Sequence, residues 1–438
     1  MRKGFLFDQN KCVGCNACSA ACILENGWEV NPRMVYTYNN EAVNSLPLIN
    51  LSLACNHCEI PVCLEGCPSG SYFRDETTGA IVINDEKCIG CKYCKWNCPY
   101  DAPKFDTGKR VIGKCNLCYT GLAIGRMPAC TSACPTGALS YGDICLNNDV
   151  NTPLWFPEKS INPAISFTGH QNIFPVKIIP EKNFETDINL PQPENQFKSS
   201  LYSLLIFSFL STLSVSYLIS SVINGDVPDL ILFFTILFSA AVSSLFHLGK
   251  VTRAWRAISN IKSSPLSLEI VSFILYSLVT VISIYLKSPA MLVIASITGL
   301  FFLLSIDNVY NYAEKPKHMV LHSGQTFISS LLITGFLSES IVPFVFIAIL
   351  KIGLSVYKVY ATEIKDTYSV LRTIRLALLI ISAAGLIYYN SLNNFVTVLF
   401  ITGELLDRML FYIDFDQLNI KSSIIRHITS TKNEKEGS

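Results

Sequence analysis

No cysteine occurs beyond Cys145 of the 438-residue chain, although it holds 17, and few charges interrupt the apolar runs that begin near residue 199. Histidine is scarce at 6 residues, and neither charge sign is in excess, with 34 Lys and Arg against 33 Asp and Glu. Without a basic stripe or interleaved aromatic and basic residues, a nucleic-acid surface is excluded. The opening "MRKGFLFDQNKCVGC" lacks an apolar h-region and a twin arginine, so no cleaved export signal is expected. Disulfide frameworks serve small secreted chains, and this chain is neither small nor led by such a signal. Its length suits two or three domains, and the cysteine-rich and apolar parts separate cleanly.

The cysteines form four groups: Cys12, Cys15, Cys18, Cys22; Cys55, Cys58, Cys63, Cys67; Cys88, Cys91, Cys94, Cys98; and Cys115, Cys118, Cys130, Cys134. The third, "CIGCKYCKWNCP", has the spacing of a cubane cluster, in which three thiolates from one tight loop and a fourth from a partner group hold the irons. Proline follows Cys67, Cys98 and Cys134 and stiffens the turn that carries the fourth thiolate across. Tetrahedral zinc would leave the third cysteine of each CxxCxxC idle. Four 4Fe-4S clusters are therefore expected, and Cys145 reads as a plain core or surface cysteine.

Crossed ligation requires the groups to pair. The inner two read as one two-cluster unit joined by the hairpin "GSYFRDETTGAIVINDEKC", with the outer two as a second unit around it. The nested ligand sets are Cys12, Cys15, Cys18 with Cys134; Cys55, Cys58, Cys63 with Cys98; Cys88, Cys91, Cys94 with Cys67; and Cys115, Cys118, Cys130 with Cys22. Sequential pairing, first with second and third with fourth, stays open. Four such centres in one small domain make a wire for electrons, since tunnelling falls steeply with distance.

"CNHC", "CIGCKYCKWNCPYDAP", "KCNLC" and "MPACTSACPTGAL" resemble the iron-sulfur subunit of the dimethyl sulfoxide reductase family, over about residues 1–145. The resemblance implies an electron-transfer partner of a molybdopterin-containing catalytic subunit. Some relatives replace a cysteine of the third group by tryptophan and hold a 3Fe-4S centre; Cys91 and its neighbours are all present here.

Residues 151–198 carry seven prolines and read as an extended linker. Apolar runs follow near 200–222, 228–248, 266–286, 289–309, 324–338, 341–358, 370–389 and 393–413, most of them close to the roughly 20 residues that cross a bilayer. Eight helices are expected, with six as the fallback because the fifth and sixth runs are the weakest. The predicted architecture is an α+β ferredoxin-like four-cluster domain (1–150), a linker, an all-α polytopic membrane domain (199–415) and a polar tail (416–438).

An even number of spans returns the carboxyl terminus to the cluster side. Lys250, Arg253, Arg256, Lys262, Arg372, Arg375 and Arg426 fall on that side, against Lys287 on the other. The bias predicts an inner-membrane protein with its clusters facing the cytoplasm. Export together with a partner carrying a twin-arginine signal would reverse it.

His247, Glu269, Asp307, Glu404, Asp407 and Arg408 lie within or at the ends of the spans, all toward the cluster side. Ionisable residues at such depth are costly and mark functional sites. A quinol oxidation site needs a partner for each hydroxyl and a base for the protons; His247, Glu269, Arg256, Glu404 and Asp407 are the candidates. A rival reading makes Glu404 and Arg408 a self-neutralising i,i+4 pair. Lys351 is a counter-ion to one of these carboxylates or has another role. Haem is not expected: His247 is the one histidine clearly at a span, and His318 and His322 sit in or beside a loop.

"HLGKVTRAWRA" and "GELLDRMLFY" make this half resemble the eight-helix anchor subunit of the same family, which implies a menaquinol site at His247. The leading expectation is a fused electron-transfer and anchor subunit carrying electrons from menaquinol to a separate molybdoenzyme chain, a sulfoxide or N-oxide reductase. The alternatives are the same wire run from a dehydrogenase to quinone, a redox-driven ion pump, and a zinc-stabilised scaffold at the membrane.

Overall fold

Alternating apolar residues in "RKGFLFD" make β1 (Arg2–Asp8), which buries Phe5 and Phe7 completely. In this computed structural model it is the middle strand of three, antiparallel to β8 (Leu139–Ile144) and parallel to β9 (Ile165–Thr168). The structure describes residues 2–27, 29–38, 49–144, 161–168, 198–313, 325–362, 369–389 and 393–414, with Pro153, Phe156, Pro157 and Ile420 as single positions. Most of the expected linker, Cys145, His318, His322 and Arg426 lie outside them.

The chain divides into one unit of residues 1–195 with 417–438 and another of residues 196–416. The first is built from hairpins and short helices that position the cysteines. Its three hairpins pair β2 (Met34–Tyr38) with β3 (Ile49–Leu53), β4 (Tyr72–Arg74) with β5 (Ile81–Ile83), and β6 (Lys104–Asp106) with β7 (Val111–Gly113). The helices are α1 (Ala17–Asn26), α2 (Val62–Glu65), α3 (Tyr93–Asn97), α4 (Tyr119–Ala123) and α5 (Ala129–Ser132). Phe5, Phe7, Leu51, Leu53, Leu139, Phe156, Phe167 and Ile420 share one core, with Phe156 stacked on Tyr100 at 5.0 Å between ring centroids.

Eight helices make the second unit among the described residues: α6 (Lys198–Asn224), α7 (Leu230–Leu245), α8 (Pro265–Leu286), α9 (Pro289–Ala313), α10 (Gln325–Leu337), α11 (Ile341–Thr362), α12 (Ser369–Tyr389) and α13 (Asn394–Asp414). α6, α8, α9 and α12 are long and apolar enough to cross a bilayer; α7, α10 and the stretch Ile341–Tyr357 of α11 are shorter apolar helices. Local signals start them: Asp229 accepts the Leu232 N–H at 2.7 Å at the head of α7, and Ser264 with Pro265 opens α8. Hydroxyls satisfy themselves inside the apolar helices, as where Thr212 and Ser216 of α6 bond carbonyls four residues back. His247 does not end a helix: α7 stops at Leu245, and His247 lies half-buried in the turn after it, before the 3-10 segment 251–258 that carries Arg256.

Candidate metal centres and buried charges

Each of the four CxxC loops is bent the same way. The residue before the second cysteine is left-handed in every one: Gly14 (φ 71°), His57 (45°), Gly90 (69°) and Leu117 (65°). Glycine adopts this freely, whereas His57 and Leu117 do so against steric cost. Bonds hold those two in place: the Ile81 N–H donates to His57 Nδ1 at 2.9 Å, and the N–H groups of His57 and Leu117 point at Cys55 Sγ and Cys115 Sγ, each at 3.4 Å. The Cys-Pro segments repeat a second device. Gly70, Asp101 and Gly137, all at positive φ, donate their N–H to the carbonyls of Cys67, Cys98 and Cys134 at 3.3 Å each. Proline at the second position presets each turn.

These turns bring thiols together from distant groups. Cys12, Cys15, Cys18 and Cys134 line one cavity, Cys55, Cys58, Cys63 and Cys98 a second, and Cys67, Cys88, Cys91 and Cys94 a third. Cys22, Cys115, Cys118 and Cys130 are electrostatic neighbours of one another. No histidine or carboxylate lines the three cavities. Among the described residues no three Cys, His, Asp or Glu side chains converge closely enough to hold a single ion. Four thiols spread around a cavity wall fit a polynuclear sulfur-ligated group and not tetrahedral zinc.

Burial raises several of the thiols, pushing Cys22 up to about 12 and Cys98 up to about 11. A raised value means that each still holds its proton at neutral pH, so metal binding must release it. Reconstitution of the metal-free chain with iron and sulfide should therefore speed up from pH 7 to pH 9. A pH-independent rate would show that the thiols are already ionised.

Two cations stand among the thiols, and neither was singled out by the sequence. Lys114, 1% exposed, donates from Nζ to Cys55 Sγ at 3.5 Å, to the Cys115 carbonyl at 2.8 Å and to the Ile81 carbonyl. Burial alone would lower its pKa, but Cys55, Cys63 and Cys115 outweigh that and raise it. Arg33, also 1% exposed, donates from Nη1 to Ser52 Oγ at 3.1 Å, and that hydroxyl lies 3.2 Å from Cys18 Sγ. Its guanidinium covers the Phe5 ring at 4.4 Å, and Cys130, Cys115, Cys18 and Cys22 surround it.

In the helical unit the candidate residues fall into two groups. Lys351 on α11 reaches Glu404 at 2.5 Å, Asp407 at 2.8 Å and Ser329 Oγ at 2.8 Å, so all three ammonium hydrogens have acceptors. Arg375 Nε of α12 lies 3.0 Å from Asp407, and its Nη1 donates to Ser355 Oγ at 3.1 Å. Two carboxylates and two cations balance one another across neighbouring helices. Glu404 is thus paired between helices, in place of the i,i+4 pair with Arg408.

Arg408 turns to the second group. Its Nε donates to Ser208 Oγ at 2.8 Å, and the Ser208 and Tyr310 hydroxyls meet that of Tyr412 at 3.1 and 2.6 Å. Both Nη atoms are buried without an acceptor among the described residues. Glu269 and Asp307 lie within its electrostatic reach, but Asp307 also accepts the Thr326 and Phe327 N–H groups at 3.2 Å each and so caps α10. Tyr310 and Tyr412 carried no sequence signal beyond the spacing of Tyr310 three residues after Asp307 on one helix face.

Comparison with known proteins agrees with both units. Residues 47–144 match the family described as a 4Fe-4S dicluster domain, and residues 203–352 the DMSO reductase anchor subunit (DmsC). The sequence is 38% identical to the B component of the anaerobic dimethyl sulfoxide reductase of Haemophilus influenzae over 152 residues, which are 32% of this chain and 74% of that protein. Its namesake in Escherichia coli is 38% identical over 151 residues, 32% and 73% of the two proteins. The B component of the sulfite dehydrogenase of Allochromatium vinosum is 32% identical over 193 residues, 39% and 76%. With thiol loops that fit iron-sulfur clusters running on into a helical anchor, this protein belongs to the family of dimethyl sulfoxide reductase iron-sulfur subunits, fused here to that reductase's anchor domain.

Proposed function

We propose that this protein carries electrons from menaquinol, through four 4Fe-4S centres, to a separate molybdopterin-containing subunit that reduces a sulfoxide or N-oxide. The observation that carries the reading is the convergence, in three cavities, of a thiol triplet with a fourth thiol from a different group. The ligand sets are Cys12, Cys15, Cys18, Cys134; Cys55, Cys58, Cys63, Cys98; Cys67, Cys88, Cys91, Cys94; and Cys22, Cys115, Cys118, Cys130. When bound, such clusters take up and release single electrons. Oxidising one quinol yields quinone, two protons and two electrons; reducing a sulfoxide consumes two of each and yields a sulfide and water.

The quinol site is assigned to Glu269 and Arg408, which lie within electrostatic reach of each other, together with His247 and Arg256 from the segment after α7. Lys351 and Arg375 already engage Glu404 and Asp407, which makes that pair support rather than chemistry. Glu269, 7% exposed and without an ion pair among the described residues, would receive a proton, and the Arg408 Nη atoms, without an acceptor there, would hold a quinol oxygen. The basic residues at the membrane edge support a cytoplasmic cluster domain.

His247→Ala should abolish reduction of the clusters by quinol while leaving reduction by dithionite intact. Full retention of quinol activity would remove His247 from the site. The likeness to a sulfite dehydrogenase component favours a second reading, in which a dehydrogenase partner feeds the wire and quinone is reduced. Uniformly low cluster potentials relative to the quinone pool would favour that direction.

A further inference from the structure

Arg33 and Lys114 are deeply buried, yet no carboxylate pairs with either among the described residues. Arg33 Nε and Nη2 are buried without any hydrogen-bond acceptor there. Cations in such places are retained when something negative sits beside them, because an uncompensated buried charge is strongly destabilising. What lies beside them is sulfur. Lys114 is 3.5 Å from Cys55 Sγ, next to Cys63 and bonded to the carbonyl of Cys115; Arg33 faces Cys18, Cys22, Cys115 and Cys130.

The two cations therefore flank one thiol set. Cys22, Cys115 and Cys130 meet Arg33, and Cys115 meets Lys114, whose ammonium also reaches the Cys55 set. The largest electrostatic neighbours of Cys91 and Cys94 are other thiols. A cluster gains one negative charge on reduction, so a fixed cation nearby favours the reduced form. Neither side chain is free to relax away: Lys114 spends its donors on three acceptors, and Arg33 is held over Phe5.

We propose that Arg33 and Lys114 are positioning residues for electron transfer, fixed counter-charges that raise the reduction potential of the centre held by Cys22, Cys115, Cys118 and Cys130. Lys114 does the same for the centre of Cys55, Cys58, Cys63 and Cys98. The inference rests on the ligand sets proposed above. It leaves the Cys22 and Cys55 centres sharing the buried Lys114, the Cys12 centre facing Arg33 through Cys18, and the Cys67, Cys88, Cys91 and Cys94 centre with only the half-buried Lys92 on its cavity wall.

The test is a potentiometric titration followed by electron paramagnetic resonance on the full chain in membranes, for the unaltered protein, Lys114→Met and Lys114→Arg. Lys114→Met should make two of the four centres at least tenfold harder to reduce, a shift of about 59 mV or more for a one-electron couple. Iron and acid-labile sulfide per chain should stay constant, and Lys114→Arg should hold the potentials near their original values. Four unmoved potentials with full cluster content would overturn the proposal. Should Lys114→Met lose its clusters, Arg33→Gln replaces it, with the downward shift expected in the Cys22 centre and not in the Cys55 centre; no shift there overturns it equally. A chain that contains no acid-labile sulfide at all defeats the ligand sets instead.

Discussion

Lys351→Met is expected to destabilise the helical unit by about 3–5 kcal/mol, the usual effect of removing one partner from a buried ion pair. Glu404 would then stand in the helix interior without its cation, whereas Asp407 would keep Arg375 at 3.0 Å. The size of the effect separates two accounts of the cluster. Hydrogen bonds between membrane helices average only about 0.6 kcal/mol, so a loss of that order would mean that the bonds alone matter and that the charges are screened. A double change, Lys351→Met with Glu404→Gln, should recover a large part of the loss because it leaves no orphaned charge. Unfolding of the purified chain in mild detergent measures both, and a double variant no more stable than Lys351→Met alone would sink the ion-pair account.

The second large effect is expected at Cys98. Cys98→Ala should stop quinol-driven electron delivery while the chain still binds its catalytic partner, because one link of the wire is gone. The informative part is which centre disappears. Cys98 follows the Cys88 loop in sequence but lines the cavity of Cys55, Cys58 and Cys63. Its paramagnetic signal should therefore be the one lost from Cys58→Ala, and Cys91→Ala should remove a different one. Loss of the same signal from Cys98→Ala and Cys91→Ala would refute the crossed ligand sets.

The thiol groups were legible because sulfur ligation imposes short, fixed spacings, and the Cys-Pro turns because proline presets φ. The spacing alone left sequential pairing open, but the nested sets read from the hairpin between the inner groups are the ones that share cavities. Helices α6, α8 and α9 were legible from uninterrupted apolar length. Lys351 was offered as a counter-ion to one of the buried carboxylates, but which one was not legible, since the i,i+4 rule sees only one helix and Arg408 satisfies that rule without making the contact. Lys351, 53 positions away, makes it instead. Lys114 was hidden for a different reason: a lysine beside a strand reads as a solvated surface charge, and only the surrounding thiols and carbonyls show why it is buried. Arg33 was hidden likewise, its burial set by Phe5 and Ser52 from separate strands.

Ile420 lies beyond α13, yet it is fully buried in the same core as Phe5, Leu53 and Phe167. During synthesis the ribosome makes those three residues first and reaches position 420 only after every helix of the second unit has been translated. The unit that holds the thiols therefore emerges early with a gap in its apolar core and is sealed late. A chain interrupted between α13 and Ile420 would lose the contacts of one large aliphatic side chain, a deficit of about 2–5 kcal/mol by analogy with truncating a buried isoleucine to alanine. Full packing of the core around Phe5 and Phe167 therefore waits on synthesis through position 420.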